Sequence, residues 1–240
     1  ALDSMTMGTI NNVVSKKFED KIDRARAIYD WIALNITYDI KAAKSNNTAK
    51  NSPADVLLSR KAVGIGFAGL FQDMCSAADI RCLTVDGFVK NNTEQIDEKG
   101  AEINHSWAVV QLGQSPDTWY YVDPAWGSGY ADAEMKVFTR SFTDAYFFTD
   151  KPIFNLQHYP DNEAWKLGGA PKNKKEFYSL PVIKVAGPEL GMKRFSPNDG
   201  HFKARVNKEV NFNYSLNGKE ITKIELAMEK QKKYKVKEIK

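Results

Sequence analysis

Cysteine and histidine are scarce in this 240-residue chain, at two and three copies. Cys75 and Cys82 set up neither a disulfide framework nor a zinc-ligand spacing, and His105, His158 and His201 are too scattered in sequence to suggest a metal site. A Cys75–Cys82 bridge and a pair of small core thiols both fit. No phosphate-cradling glycine loop is present, so neither a metal nor any other cofactor is expected. No apolar run approaches the ~18–20 residues of a membrane span. The start, Ala1-Leu2-Asp3-Ser4, has no basic region followed by an apolar one. A leader removed ahead of Ala1 would give a secreted or periplasmic setting, and the compartment stays open.

What is there suits a globular protein. Hydrophobic residues make up 42% and charged residues 27%, enough apolar matter for a full core in one domain or two. The net charge of +4 is unevenly spread: residues 171–240 hold 17 Lys and Arg against 8 Asp and Glu, leaving 17 against 22 for residues 1–170. That asymmetry predicts a boundary near 170, with one domain over 1–170 and a second over 171–240. The basic half fits either a surface for an anionic partner or solvated lysines that discourage edge pairing on a β-rich domain. Nucleic acid is not an expected partner, because no recognition motif accompanies the charge.

Along the chain, Ile22, Ala25, Ile28, Trp31, Ile32 and Asn35 recur at helical spacing and predict a helix over 18–36. Residues 41–52 are polar and aperiodic, a surface loop. Ser52 and Pro53 supply the cap and first position of a short helix over 53–59. A helix over 64–78 follows, with Phe67, Leu70, Phe71, Met74 and Cys75 on one face. Alternation then predicts strands over 82–89, 103–112 and 118–123, the last two joined through Gly113–Asp117. Asn91-Asn92-Thr93 is a glycosylation sequon, a weak signal. Residues 168–175 read as a linker. Strands are expected at 181–185, 202–206, 210–216, 221–228 and 234–239, with a hairpin turn at Asn217-Gly218.

Three segments carry chemistry. They are Arg60-Lys61-Ala62-Val63-Gly64-Ile65-Gly66-Phe67-Ala68, Asn104-His105-Ser106-Trp107 and Val122-Asp123-Pro124-Ala125-Trp126-Gly127. Together with Trp31-Ile32-Ala33-Leu34-Asn35-Ile36-Thr37-Tyr38-Asp39 they resemble the core of the transglutaminase-like superfamily, papain-type cysteine peptidases and acyltransferases. The resemblance implies an α+β fold, a papain-like core of helices packed on an antiparallel sheet. It also implies a cysteine nucleophile at a helix N-terminus, a histidine base and an aspartate that orients the base. His105 and Asp123 fill the last two positions. The nucleophile position holds Gly64.

Glycine has no side chain, so it can neither attack a carbonyl nor be activated by a base. Cys75 cannot substitute, since eleven residues along a helix separate it from Gly64 by roughly 16 Å. The unpaired N–H groups of the helix start survive the loss of a side chain, and Gly64 and Ile65 remain candidate ligand contacts. Close backbone packing explains Gly64 and Gly66 equally well. Trp107, Trp126 and Tyr130 either line a cleft or pack the core.

Tyr146-Phe147-Phe148-Thr149-Asp150-Lys151-Pro152 and His158-Tyr159-Pro160-Asp161-Asn162-Glu163-Ala164-Trp165 resemble a segment of the kyphoscoliosis-peptidase-like branch that wraps back onto the core. That branch continues into an immunoglobulin-like β-sandwich, expected here over 171–240 in incomplete form, with the parent chain truncated or extended beyond Lys240. The combined expectation is a catalytically inactive transglutaminase-like protein holding a polypeptide or glycan as a binding or scaffold module. The alternative is an active cysteine peptidase or protein-glutamine acyltransferase of the same superfamily.

Overall fold

A computed structural model describes residues 7–115, 118–169, 171–205, 207–217, 225–230 and 233–238. Among the described residues the first elements are helix α1 (Met7–Lys17), which the sequence pattern did not announce, and α2 (Lys21–Asn35). Asp20 caps α2, its carboxylate accepting the Ile22 N–H at 2.6 Å. Ala25, Ile28, Tyr29, Trp31 and Ile32 are buried, as their spacing requires, whereas Ile22 lies exposed beside the cap. Strand β1 (Thr37–Tyr38) pairs in parallel with β2 (Lys61–Ala62). Between them lie α3 (Ile40–Lys44), which replaces the first part of the loop expected over 41–52, and α4 (Pro53–Ser59), with Ser52 as its cap.

Helix α5 (Gly64–Ala77) follows directly, and its apolar face is almost wholly buried. Strands β3 (Arg81–Val89), β4 (His105–Gln111) and β5 (Trp119–Val122) form an antiparallel meander. The short α6 (Pro124–Ser128) leads into a hairpin of β6 (Gly129–Ala131) and β7 (Phe138–Arg140). After α7 (Lys151–Gln157), strand β8 (His158–Pro160) pairs with the far edge of β3. The resulting sheet is a curled antiparallel one of order β5-β4-β3-β8.

Both faces of that sheet are covered. On one, Cys82, Ala108, Val110 and Val122 pack with Ile28, Ile32, Phe67, Phe71 and Met74 of α2 and α5. On the other, Val85, Trp107, Val109 and Tyr121 pack with Tyr146 and Phe154, which the returning segment supplies. Alternation along β4 sends successive side chains to opposite faces, so a strand buried on both reads as nearly continuous apolar sequence.

The boundary expected at 170 falls ahead of a helix that packs on this sheet. In α8 (Lys174–Ser179), Phe177 and Tyr178 are buried against Phe88 and Tyr159. Lys90, itself buried, reaches across to donate to the carbonyls of Phe177 and Leu180, each at 2.6 Å.

Beyond it come α9 (Ala186–Glu189), β9 (Met192–Ser196), β10 (Asn213–Leu216), β11 (Glu225–Lys230) and β12 (Lys233–Glu238). Among the described residues these form two separate two-stranded ladders, β9 with β10 and β11 with β12. The segments 181–185 and 202–205, expected as strands, carry none, because neither meets a partner edge. β10 pairs with β9, a strand the sequence pattern missed; the proposed turn at Asn217-Gly218 runs outside the described residues. Residues 221–224 and 239 of the last two expected strands also lie outside them. No helix among the described residues is long and apolar enough to cross a membrane.

Candidate functional site

Three elements converge beside the start of α5. Val63 precedes the helix in an extended conformation with no side-chain cap, and its own N–H is held by Asn51 Oδ1 at 2.9 Å. Asn51, which sequence reasoning left in a polar loop, therefore fixes how the chain enters the helix. His105 opens β4, and Asp123 follows β5 as the cap of α6, accepting the Trp126 N–H on Oδ1 at 2.9 Å. His105 Nε2 sits 2.7 Å from Asp123 Oδ2.

His105 turns its other nitrogen to the helix. A Cβ built on Gly64 would lie 2.7 Å from His105 Nδ1, 3.1 Å from Cε1 and 3.2 Å from the Ser106 amide nitrogen. Any side chain at 64 would thus start in contact with the imidazole, and at that distance the ring must draw back to admit one. With Asp123 holding Nε2, Nδ1 is the nitrogen that faces residue 64. This is the orientation a base needs toward a nucleophile at that position.

A third residue completes the cluster. His158, the first residue of β8, places Nε2 2.9 Å from the same Oδ2 of Asp123. Asp123 and His158 have no exposed side-chain surface and His105 only 6%. Burial alone would raise the Asp123 carboxyl, but the charge and hydrogen bond of His105, together with the bond from His158, outweigh it. The carboxyl is held well below the usual carboxylate range. Burial drives His158 the other way, lowering it to about 4 against the opposing pull of Asp123. A neutral imidazole whose Nε2 faces a carboxylate must carry its hydrogen there, so His158 donates.

The three histidines looked scattered in sequence, yet the fold gathers two of them on one carboxylate. The ligand atoms of His105, Asp123 and His158 lie within 4.8 Å of one another, close enough to hold a metal ion. Both Nε2 atoms are already engaged with Asp123, so an ion there would displace two hydrogen bonds. The signal that could have found His158 was its place in the His158-Tyr159-Pro160 motif; nothing in that motif told of its partner.

The aromatic candidates separate. Trp107 is fully buried and packs edge-on against His158 with centroids 5.1 Å apart. Trp126 lies beside both histidines, at 5.7 Å from His105 and 4.5 Å from His158. Tyr130, on β6, is 59% exposed and Ile65 is 40% exposed. Of the expected contacts, Gly64, His105, Asp123, Trp107 and Trp126 form one group, with Ile65 and Tyr130 on the surface. Cys75 and Cys82 are free, buried thiols, and burial beside Cys82 pushes Cys75 well above its ordinary value. Cys75 therefore lacks the thiolate character of a nucleophile. An open depression of about 620 Å³, lined by Ile40, Lys41, Lys44, Ser45, Met135 and Lys136, includes none of these residues.

A helix that delivers its N-terminus to a His–Asp pair on a curled antiparallel sheet defines a transglutaminase-like core, and residues 9–124 match the model of the transglutaminase-like superfamily. This chain therefore carries a transglutaminase-like superfamily domain. Among named proteins it is similar to the kyphoscoliosis peptidase of Mus musculus, 32% identical over 225 residues that cover 88% of this chain and 33% of that protein. The Homo sapiens kyphoscoliosis peptidase is 33% identical over 210 residues, covering 83% and 31%. A Caenorhabditis elegans protein, Lim and transglutaminase domain protein ltd-1, is 27% identical over 177 residues, covering 68% and 23%. The chain spans about a third of the length of the kyphoscoliosis peptidases it matches.

Proposed function

We propose that this chain is a transglutaminase-like protein that has lost its nucleophile and works as a binding or scaffold module for a polypeptide or a glycan. The observation that carries the reading is the contact between His105 Nδ1 and the position a side chain at 64 would fill. His105 and Asp123 have the contacts a base and its orienter would need, and Gly64 offers no group for them to activate, which supports the reading. Ile65 and Tyr130, exposed near either end of this constellation in sequence, are the candidate contacts for the bound chain. Of the residues 171–240 expected as an immunoglobulin-like domain, the proposal keeps that fold for the chain beyond α8, since Phe177 and Tyr178 pack on the core sheet.

The test compares the natural protein with Gly64→Cys on a mixed protein and amine substrate, following ammonia release, cross-linking and cleavage together. An inert natural protein, and a Cys variant with thiol reactivity that depends on His105, would support the reading. Turnover by the natural protein that disappears in His105→Ala would overturn it. That second outcome is the prediction of the competing reading, an active cysteine peptidase or protein-glutamine acyltransferase. Its support is the intact His105–Asp123 pair and the word peptidase in the relatives' names.

A further inference from the structure

The Asp123 carboxylate accepts three hydrogen bonds, one on Oδ1 from Trp126 and one on Oδ2 from each histidine. The two histidines are held very differently. His158 lies in a paired strand opposite Val89, and its ring stacks on Phe154 with centroids 3.9 Å apart and planes 11° apart. Trp107 and Trp126 close two more of its sides. His105 occupies the first position of its strand, with Trp107 and Trp126 more distant, at 6.3 and 5.7 Å.

A carboxylate turns readily about its last torsion, because that rotation has broad, roughly two-fold preferences. A single bond from Trp126 to Oδ1 would leave Oδ2 free to swing. We propose that His158 is a positioning residue: its Nε2–H fixes Oδ2 of Asp123, and through that oxygen fixes the plane of the His105 ring and the aim of Nδ1 at residue 64. The role rests on the reading of His105 and Asp123 as the retained frame of a catalytic site. It belongs to a donor that stays neutral, since a charged imidazole at 158 would compete with His105 for the Asp123 carboxylate. The enclosing rings of Phe154, Trp107 and Trp126 supply the apolar surroundings that keep His158 so. The charged or titratable groups acting on it are Asp123 and His105.

Gly87 makes the arrangement possible. It sits in β3 between His105 on one neighbour and Pro160 on the other, and an added Cβ would lie 2.5 Å from Trp107 Cη2 and collide with the Tyr159 carbonyl. The indole that walls in His158 thus lies across a strand position where only hydrogen fits.

The test is nuclear magnetic resonance of the natural chain labelled with nitrogen-15 at histidine. At neutral pH, His158 is expected as the neutral Nε2–H tautomer, with the Nε2 protons of both His105 and His158 protected from solvent exchange. His158→Gln keeps a donor and should keep the His105 proton protected. His158→Phe keeps the ring and its stacking but removes the donor, and exchange of the His105 proton should become about tenfold faster, the scale of one lost buried hydrogen bond. Exchange within about twofold of the natural rate in His158→Phe would overturn the proposal. So would finding His158 charged, or as the Nδ1–H tautomer, in the unaltered protein, a readout that holds even if a variant fails to fold. Failure of the reading of Gly64 would show separately, as turnover by the natural protein, with the tautomer of His158 untouched.

Discussion

The sheet of β3, β4, β5 and β8 and the ladders beyond Leu190 are both built from short antiparallel strands, but they meet different surroundings. In β4, Ser106 to Val110 are all buried, between α5 on one face and the returning segment on the other. In β10, Asn213, Tyr214 and Ser215 are exposed and only Leu216 is half-buried; Val210 and Phe212 just before it are exposed as well. Alternation announces a strand. What covers the strand depends on helices far away in sequence, and that cover decides how much energy a side chain there contributes.

The sharpest way to break this contrast is at the centre of the covered region. Asp123→Ala leaves two buried imidazoles without their shared acceptor and should cost about 3–5 kcal/mol of stability by urea denaturation. A loss under ~1 kcal/mol would mean the cluster holds nothing together. Gly87→Ala forces a methyl into the Tyr159 carbonyl and Trp107. It should cost about 1–3 kcal/mol or more, read as a lower melting temperature with altered near-ultraviolet dichroism from the displaced indole. Lys90→Met removes the donor to the Phe177 and Leu180 carbonyls and should cost about 1–3 kcal/mol, with earlier proteolysis around α8.

A fourth prediction concerns pH. His158 titrates near 4 when folded against an ordinary 6.5, so the unfolded chain binds the extra proton between those values. Stability should therefore fall as pH drops from about 6.5 toward about 4, and His158→Gln should flatten that part of the slope in urea midpoints. Smallest of all, Tyr214→Ala in the exposed ladder should stay within about 0.5 kcal/mol of the natural protein. A larger loss would show that something covers that face.

Much of the covered region was legible. The helical spacing of Ile28, Trp31 and Ile32, the Ser52-Pro53 start and the strands around His105 and Asp123 all rest on local chemistry, and they stand within a residue or three of where they were expected. The antiparallel pairing that brings the His–Asp pair together was legible from the short hairpin. His158 was not, because its partner lies 35 residues away and the contact depends on β8 crossing to the far edge of β3. The segments 181–185 and 202–205 failed for the reverse reason: alternation was present, but among the described residues neither pairs with another strand. Phe177 and Tyr178 stand just beyond the stretch 168–175 that reads as a linker, and their burial was hidden because it depends on Phe88 and Tyr159, distant in sequence.

Lys90 carries a consequence for the order in which the chain can be finished. Its carbonyl acceptors at Phe177 and Leu180 lie 87 and 90 residues downstream. At a synthesis rate of about 5–20 residues per second, the ammonium group waits roughly 4 to 18 seconds, still hydrated, before its acceptors exist. Until residues 158–160 are made, Phe88 has neither Tyr159 nor Phe177 to cover it, and the far edge of β3 has no β8. A nascent chain stalled before residue 158 would present both a bare aromatic and an open strand edge, the two features that most readily recruit a chaperone or another unfinished chain.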